Sequence, residues 1–201
     1  MKIGILADIH ECVIHLRSAL QAFRENGVDQ VVVLGDIFET GKYIDETVQL
    51  LRDVNAFGVW GNHDVGLSHE PDPRITSRYG TAVVEFFSSL SAHFELGDVL
   101  LCHGLPTWDA TDPSIYYLGD SPWKAGSLSP VFTSFPHRIF LTGHYHRWHL
   151  ATADQSTEWD GLHPIVFEPT NRYFVVVNAV LYGWCAILDT ETGEFKPCIL
   201  S

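Results

Sequence analysis

The chain has 201 residues, 46% of them hydrophobic, which is enough for one sizeable core and argues for one domain over residues 1–201. Acidic residues outnumber basic ones 25 to 12, for a formal charge of -13. A surface of that sign repels nucleic-acid backbones and anionic membranes, so no long nucleic acid and no membrane is expected as a partner. A small phosphate-bearing substrate stays open, because bound cations invert the field locally.

Along the chain, residues 2–7 are a short apolar run ending in Asp8-Ile9-His10 and read as a buried strand. Residues 12–25 follow with Val13, Leu16, Leu20 and Phe23 at helical spacing and Gly27 as the stop. Residues 30–34 form a second β-rich run ending in Gly35-Asp36, and 44–54 are again helical through Val48 and Leu51. Residues 56–60 then lead into Gly61-Asn62-His63-Asp64. This β-α-β-α-β order predicts α/β architecture with a mostly parallel sheet under helices. Residues 65–76 read as loop, 77–94 as helix, and 99–102 as a strand ending in His103-Gly104. Residues 105–130 are irregular, 129–135 could make one or two helical turns, and 138–141 are a strand ending in Gly143-His144-Tyr145-His146. The runs 173–177 and 183–188, with a turn at 189–194, read as an antiparallel meander.

The four cysteines, at 12, 102, 185 and 198, match neither a metal-binding pair nor a disulfide framework and read as thiols in a reducing compartment. The N-terminus reaches an aspartate after seven residues, without the apolar run and cleavage site of a secretory signal. No window of 18 residues is apolar and uncharged. A cytoplasmic location is the expectation.

Chemistry concentrates at strand ends. Asp8 and His10, Asp36, Asn62 and His63, His103, and His144 with His146 each follow a predicted strand directly. In α/β sheets, ligands bind outside the carboxyl ends of strands, so these groups can converge although they span nearly the whole first three quarters of the chain. Mixed oxygen and nitrogen donors suit Mn, Fe, Co, Ni or Zn. Asp36, alone after its strand, is the natural bridge between two cations. Such a pair would polarise a phosphate ester and acidify a bridging water for in-line attack.

The segments DIH at 8–10, GD at 35–36, GNHD at 61–64, HG at 103–104 and GHYH at 143–146 together resemble the five ordered motifs of the calcineurin-like metallophosphoesterase superfamily, and the short chain resembles its small bacterial and archaeal phosphodiesterase-like branch. The resemblance implies two β-sheets packed as a sandwich flanked by helices, and hydrolysis of a phosphodiester or phosphomonoester with two divalent cations. Asp8, His10, Asp36 and His146 would hold one cation, and Asp36, Asn62, His103 and His144 the other. His63 would act on the leaving group, and Asp64 would orient it or set its pKa. Two positions depart from the broader pattern. Glu39 stands where a second aspartate is common and is not expected to bind metal. Glu11 stands where a small or hydroxyl residue is common and would either crowd the first cation or cap the helix beginning there.

For substrate contacts, the 105–130 segment offers Trp108, Tyr116, Tyr117, Trp123 and Lys124, and Arg147 follows the last ligand motif. The aromatic residues would wall a substrate pocket, pack among themselves, or form the contact of a homodimer or homotetramer. The alternatives to a small-ester hydrolase are a serine/threonine protein phosphatase, a nucleotide pyrophosphatase, or a metal-binding scaffold. A related scaffold branch has degraded ligands, whereas here every ligand position and His63 are intact.

Overall fold

The computed structural model describes residues 1–153, 156–157 and 159–200. In chain order the strands are β1 Lys2–Leu6, β2 Gln30–Leu34, β3 Phe57–Val59, β4 His93–Leu96, β5 Val99–Cys102, β6 Ile139–Thr142, β7 His149–Thr152, β8 Ser156–Thr157, β9 Ile165–Val166, β10 Tyr173–Val176, β11 Trp184–Asp189 and β12 Glu194–Ile199. The helices are α1 Val13–Glu25, α2 Ile44–Asp53, α3 Val65–Ser68, α4 Pro73–Thr76, α5 Thr81–Ser88, α6 Ile115–Leu118 and α7 Ser129–Ser134, with a 3-10 turn at Val180–Tyr182. No described helix is long and apolar enough to cross a membrane.

Two six-stranded mixed sheets form, in the orders β3-β2-β1-β11-β12-β9 and β4-β5-β6-β10-β7-β8. β1, β2 and β3 are parallel, as are β5, β6 and β10, and the remaining strands close each sheet in antiparallel fashion. The period-2 alternation of the strands explains the layering. Ile3, Ile5, Val32 and Leu34 of the first sheet face Leu101, Leu141 and Val175 of the second in a dry inter-sheet core. The opposite faces turn outward. Leu6, Val31 and Val33 receive Leu16, Leu20 and Phe23 of α1 and Val48 and Leu51 of α2. Leu100, Phe140, Phe174 and Val176 receive Val131 and Phe132 of α7. The result is a sandwich flanked by helices on both sides, as the motif resemblance implied.

Three expectations need correction. The predicted helix over 77–94 is only Thr81–Ser88, followed by strand β4. Apolar helical spacing ends at Leu90, and Phe94 instead joins the inter-sheet core, its ring 5.0 Å from that of Phe57. The 65–76 segment is not all loop. Pro73 opens α4, and Asp72 accepts the Arg74 amide at 2.8 Å, an N-cap. The tail is not a simple meander. β10 lies parallel to β6 in the second sheet, while β11 pairs with β1 and β12 in the first. Both runs are apolar and β-branched, which specifies strand but not sheet.

Candidate metal centre

The five motif loops leave the carboxyl ends of β1, β2 and β3 in one sheet and β5 and β6 in the other, and meet at one end of the sandwich. Backbone bonds zip the first two together: Asp8 N donates to Gly35 O (3.1 Å), His10 N to Asp36 O (2.9 Å) and Glu11 N to Ile37 O (3.0 Å). Long-range bonds from the later motifs converge on the aspartates. His63 N donates to Asp36 Oδ1 at 3.0 Å, and His144 N to Asp8 Oδ1 at 2.9 Å. The convergence requires unusual backbone. Asp8, His10, Glu11, Asp36, His144 and His146 all carry left-handed φ, between 45° and 69°. Left-handed φ is uncommon outside glycine and, clustered this way, marks a functional site. At Gly35, φ is +88° and a Cβ would meet Gly61 N at 2.5 Å and His103 Nδ1 at 2.6 Å, so the crowding explains the glycine.

The donor atoms form three groups within 4.8 Å: Asp8, His10, Asp36 and His146; Asp36, His103 and His144; and, more exposed, His10, Glu39 and His63. Asp36 is common to the first two. Its Oδ2 lies 3.7 Å from His10 Nε2 and 3.3 Å from His103 Nε2, so a single carboxylate oxygen faces both sets. His146 Nε2 lies 3.4 Å from Asp8 Oδ1 and 3.2 Å from His10 Nε2. Asn62 points Oδ1 to within 3.2 Å of His103 Nε2, with its Nδ2 on the Tyr117 hydroxyl at 3.4 Å, so it stands beside the second group.

The donor set fits divalent cations by a test independent of ligand type. Ring tautomers are fixed from behind. His103 Nδ1 faces the Leu34 carbonyl at 2.6 Å, and His10 Nδ1 faces Glu39 Oε2 at 2.8 Å. Both partners accept, so each Nδ1 donates to them and each Nε2 is left facing Asp36. His144 Nε2 likewise donates to the Tyr116 carbonyl at 2.9 Å, leaving Nδ1 as its free ring nitrogen. Without cations the carboxylates partner the histidines instead. Burial disfavours a charge on His103, but Asp36 and then Asp8 outweigh it and push His103 up to about 9. Burial also opposes the Asp36 charge, yet His103 holds its carboxyl well below the usual range. The hydrogen bond that His146 gives to Asp8 raises His146, while burial and then His103 bring His144 down to about 4.

His63 stands beside the two groups that share Asp36, edge-on to the His10 ring at 4.8 Å between centroids. The carboxylate facing it is Glu39, whose Oε2 is 3.3 Å from His63 Nδ1 and shared with His10. Asp64 does not orient His63 as expected. It is fully buried, and its carboxylate accepts the amides of Ile37 (3.0 Å), Phe38 (2.9 Å) and Gly61 (2.9 Å). Burial and the neighbouring Asp36 push its carboxyl up to about 7. Asp64 therefore braces the backbone after Asp36. Glu11 follows neither sequence expectation. Its buried carboxylate accepts the amides of Glu39 (2.9 Å), Thr40 (3.0 Å) and Gly41 (2.6 Å) at Oε1, and of Tyr43 (2.8 Å) at Oε2. It organises the loop that carries Glu39. The DxHE and GDxxE spacings were visible in the sequence, but nothing local said that the two glutamates meet.

Of the expected substrate contacts, three reach the centre. Trp108 packs on Gly104 and edge-on to His144 (6.2 Å), Tyr116 lies beside His103 (5.4 Å), and exposed Tyr117 touches Asn62. Three do not. Trp123 packs edge-on to Tyr145 at 5.1 Å, Arg147 lies over Trp123 at 4.6 Å, and Lys124 is tied to Asp120 at 2.6 Å within its own segment.

The sequence pattern of the calcineurin-like phosphoesterase family matches residues 1–152, and the chain belongs to that family. It is 32% identical over 82 residues to an uncharacterized protein of Methanocaldococcus jannaschii, a match covering 41% of this chain and 34% of that protein, so the chain spans about a third of that relative's length. A metallophosphoesterase from Sphaerobacter thermophilus shares the fold at a TM-score of 0.80 with 20% identity, covering 100% of this chain and 88% of the other. A novel archaeal phosphodiesterase does so at 0.56 with 19% identity over 100% of both chains.

Proposed function

We propose that the chain is a dinuclear metal-dependent phosphoesterase acting on a small phosphodiester, with a phosphomonoester as the alternative. The observation that carries the reading is the position of Asp36, one carboxylate oxygen within 3.7 Å of histidine nitrogens from both of the donor groups that share it. Asp8, His10, Asp36 and His146 would hold one cation, and Asp36, Asn62, His103 and His144 the other. When bound, the two cations would polarise the phosphate and lower the pKa of a water between them.

The remaining steps belong to the chain's own residues. Glu39 Oε2 faces His63 Nδ1 at 3.3 Å, which leaves His63 Nε2 as the nitrogen available to the substrate. From there it protonates the leaving oxygen. Glu39 orients His10 with the same oxygen, so one carboxylate couples the proton donor to a ligand. Asp64 and Glu11 hold the backbone of the loop between them. The archaeal structural neighbour is described as a phosphodiesterase, which agrees with the diester preference.

The test is reconstitution of chelator-stripped protein with Mn, Ni, Co or Zn, followed by assay on bis-p-nitrophenyl phosphate and p-nitrophenyl phosphate. Turnover with metal and none after stripping is expected. Two bound metals and no turnover under any condition would sink the reading.

A further inference from the structure

The thiols of Cys185 and Cys198 belong to none of the donor groups, and the sequence pairs them with nothing. They are 13 positions apart, with neither the spacing of a metal-binding pair nor that of a disulfide framework. The fold supplies the partner. β11 and β12 run antiparallel, and Cys185 stands directly opposite Cys198. Directly opposite residues send their side chains out of the same face of a sheet. Here that face lies under α1, where Cys185 packs with Leu16, Leu20 and Phe23, and Cys198 packs against the same cluster.

The ladder fixes the separation of the two. Leu200 N donates to Gly183 O at 2.8 Å, one step beyond the opposed residues Trp184 and Ile199, so Gly183 and Leu200 are a hydrogen-bonded pair. Pair types alternate, which makes Trp184 with Ile199 a non-bonded pair and Cys185 with Cys198 a bonded one. Ala186 with Pro197 is then non-bonded again, as a proline without an N–H requires. Cα atoms of a hydrogen-bonded pair lie about 5.5 Å apart, inside the range of about 4.4–6.8 Å that a disulfide spans. Cys102, by contrast, is buried on β5 in the other sheet, its thiol donating to Leu141 O at 3.8 Å.

The facing thiols are unequal in the way that exchange needs. Cys185 is fully buried and Cys198 is partly exposed. Hydrogen bonding with Cys185, against burial and with help from Lys196, holds the Cys198 thiol below its ordinary range, while the same bond and burial raise Cys185. Cys198 is therefore the thiol that meets a reagent from solvent, and Cys185 the one behind it that resolves the adduct.

We propose that Cys185 and Cys198 are a reversible dithiol–disulfide site that clamps β12 to β11 when a small disulfide such as oxidised glutathione is in excess. Cys198 loses its proton to solvent, and its thiolate attacks one sulfur of the small disulfide. That S–S bond breaks and one glutathione thiolate leaves. Cys185 gives its proton to this thiolate and attacks the Cys198 sulfur, and the second glutathione thiolate leaves and takes a proton from solvent. Two protein thiols are oxidised, and one small disulfide is reduced to two thiols. The new bond ties β12, and β9 paired with it, to the rest of the first sheet.

The experiment equilibrates the reduced full chain over a series of oxidised-to-reduced glutathione ratios, quenches with an alkylating reagent, and reads intact and peptide masses. Two alkylation sites should be lost together, with a linked Cys185–Cys198 peptide, and both should return with dithiothreitol. Amide exchange in β12 should slow by about threefold or more in the oxidised form. Cys185→Ser should stop at one glutathione on Cys198, and the parental chain carries the test if that variant does not fold. Four alkylated thiols at an oxidised glutathione excess of about a hundredfold, or a bond that uses Cys12 or joins two chains, would overturn the site. A linked pair with unchanged exchange in β12 would overturn the clamp.

Discussion

Glu11 is the residue whose replacement separates the effect of the loop from that of the donor groups. Its carboxylate, 5% exposed, collects four backbone amides from the segment that delivers Glu39. In Glu11→Gln the amide oxygen can keep the three bonds of Oε1, without the charge, while the NH2 group opposes the Tyr43 N–H. Hydrogen bonds to charged groups contribute about 1.5–3 kcal/mol each, so losing one and weakening three amounts to about 2–4 kcal/mol. Thr40, Lys42 and Tyr43 are exposed, so the segment can open to water and find new partners. The loss should therefore appear mainly as local loosening, with a modest fall in Tm. Once the segment loosens, Glu39 no longer holds His63 and His10 in fixed orientation. Steady-state kinetics at saturating metal should show kcat down about tenfold or more, still short of removing the acid–base group altogether, with KM nearly unchanged. Retention of the parental kcat together with a lowered Tm would leave Glu11 a structural brace only, and refute its link to catalysis.

Replacing His63 with Ala should cut turnover by about 10²–10⁴ while metal analysis still finds the parental metal content, since its ring lies outside the two donor groups that share Asp36. Loss of metal along with activity would instead make His63 a ligand. Gly61→Ala should abolish metal retention, because its Cβ would press on the Asp36 amide at 2.5 Å as well as the carboxylate, and cost about 1–3 kcal/mol in thermal unfolding. A stable, fully loaded variant would contradict this crowding. Metal binding must displace the proton that His103 holds up to about 9 and the one that Asp8 favours on His146. Apparent metal affinity, measured by competition with a chelator, should rise with pH from about 6 to 9. The metal-free protein runs the other way. His103 is raised from 6.5, so its contribution to stability is complete below that value and disappears as pH climbs through about 9. Thermal unfolding of stripped protein that shows no such loss, in parallel with Asp36→Asn, would refute the pairing.

Much of the candidate centre was legible without coordinates because its possible donors follow strands directly. Strand runs such as 30–34 announce themselves by β-branched composition, and a residue placed just past a strand end has few places to go. Local order therefore marked Asp8, His10, Asp36, Asn62, His63, His103, His144 and His146 as candidate donors, and the motif resemblance set His63 apart from the expected ligands. The failures share a cause. Residues 77–94 keep apolar spacing past the point where the helix stops, because Phe94 serves the inter-sheet core and not a helix face. Asp64 follows His63 in sequence, yet its carboxylate turns back to the amides of Ile37, Phe38 and Gly61. Sequence adjacency does not fix side-chain direction in a turn.

The sequence by itself determined which residues could hold cations, that each follows a strand, and that the α/β order would bring the strand ends to one edge. Periodicity and composition act locally, and these are local properties. Only the tertiary structure decided which carboxylate meets which ring. Glu39 is separated from His10 by 29 positions and from His63 by 24, and reaches both because Glu11 folds the intervening loop against the first motif. Likewise, the partition of β10 and β11 into different sheets depends on backbone pairing with β6 and β1, for which two equally apolar strands carry no label. The two-cation expectation that the motifs raised is thereby sharpened. It rests on one oxygen of Asp36 facing two sets of histidines, with Glu39 and Glu11 placing His63 beside them.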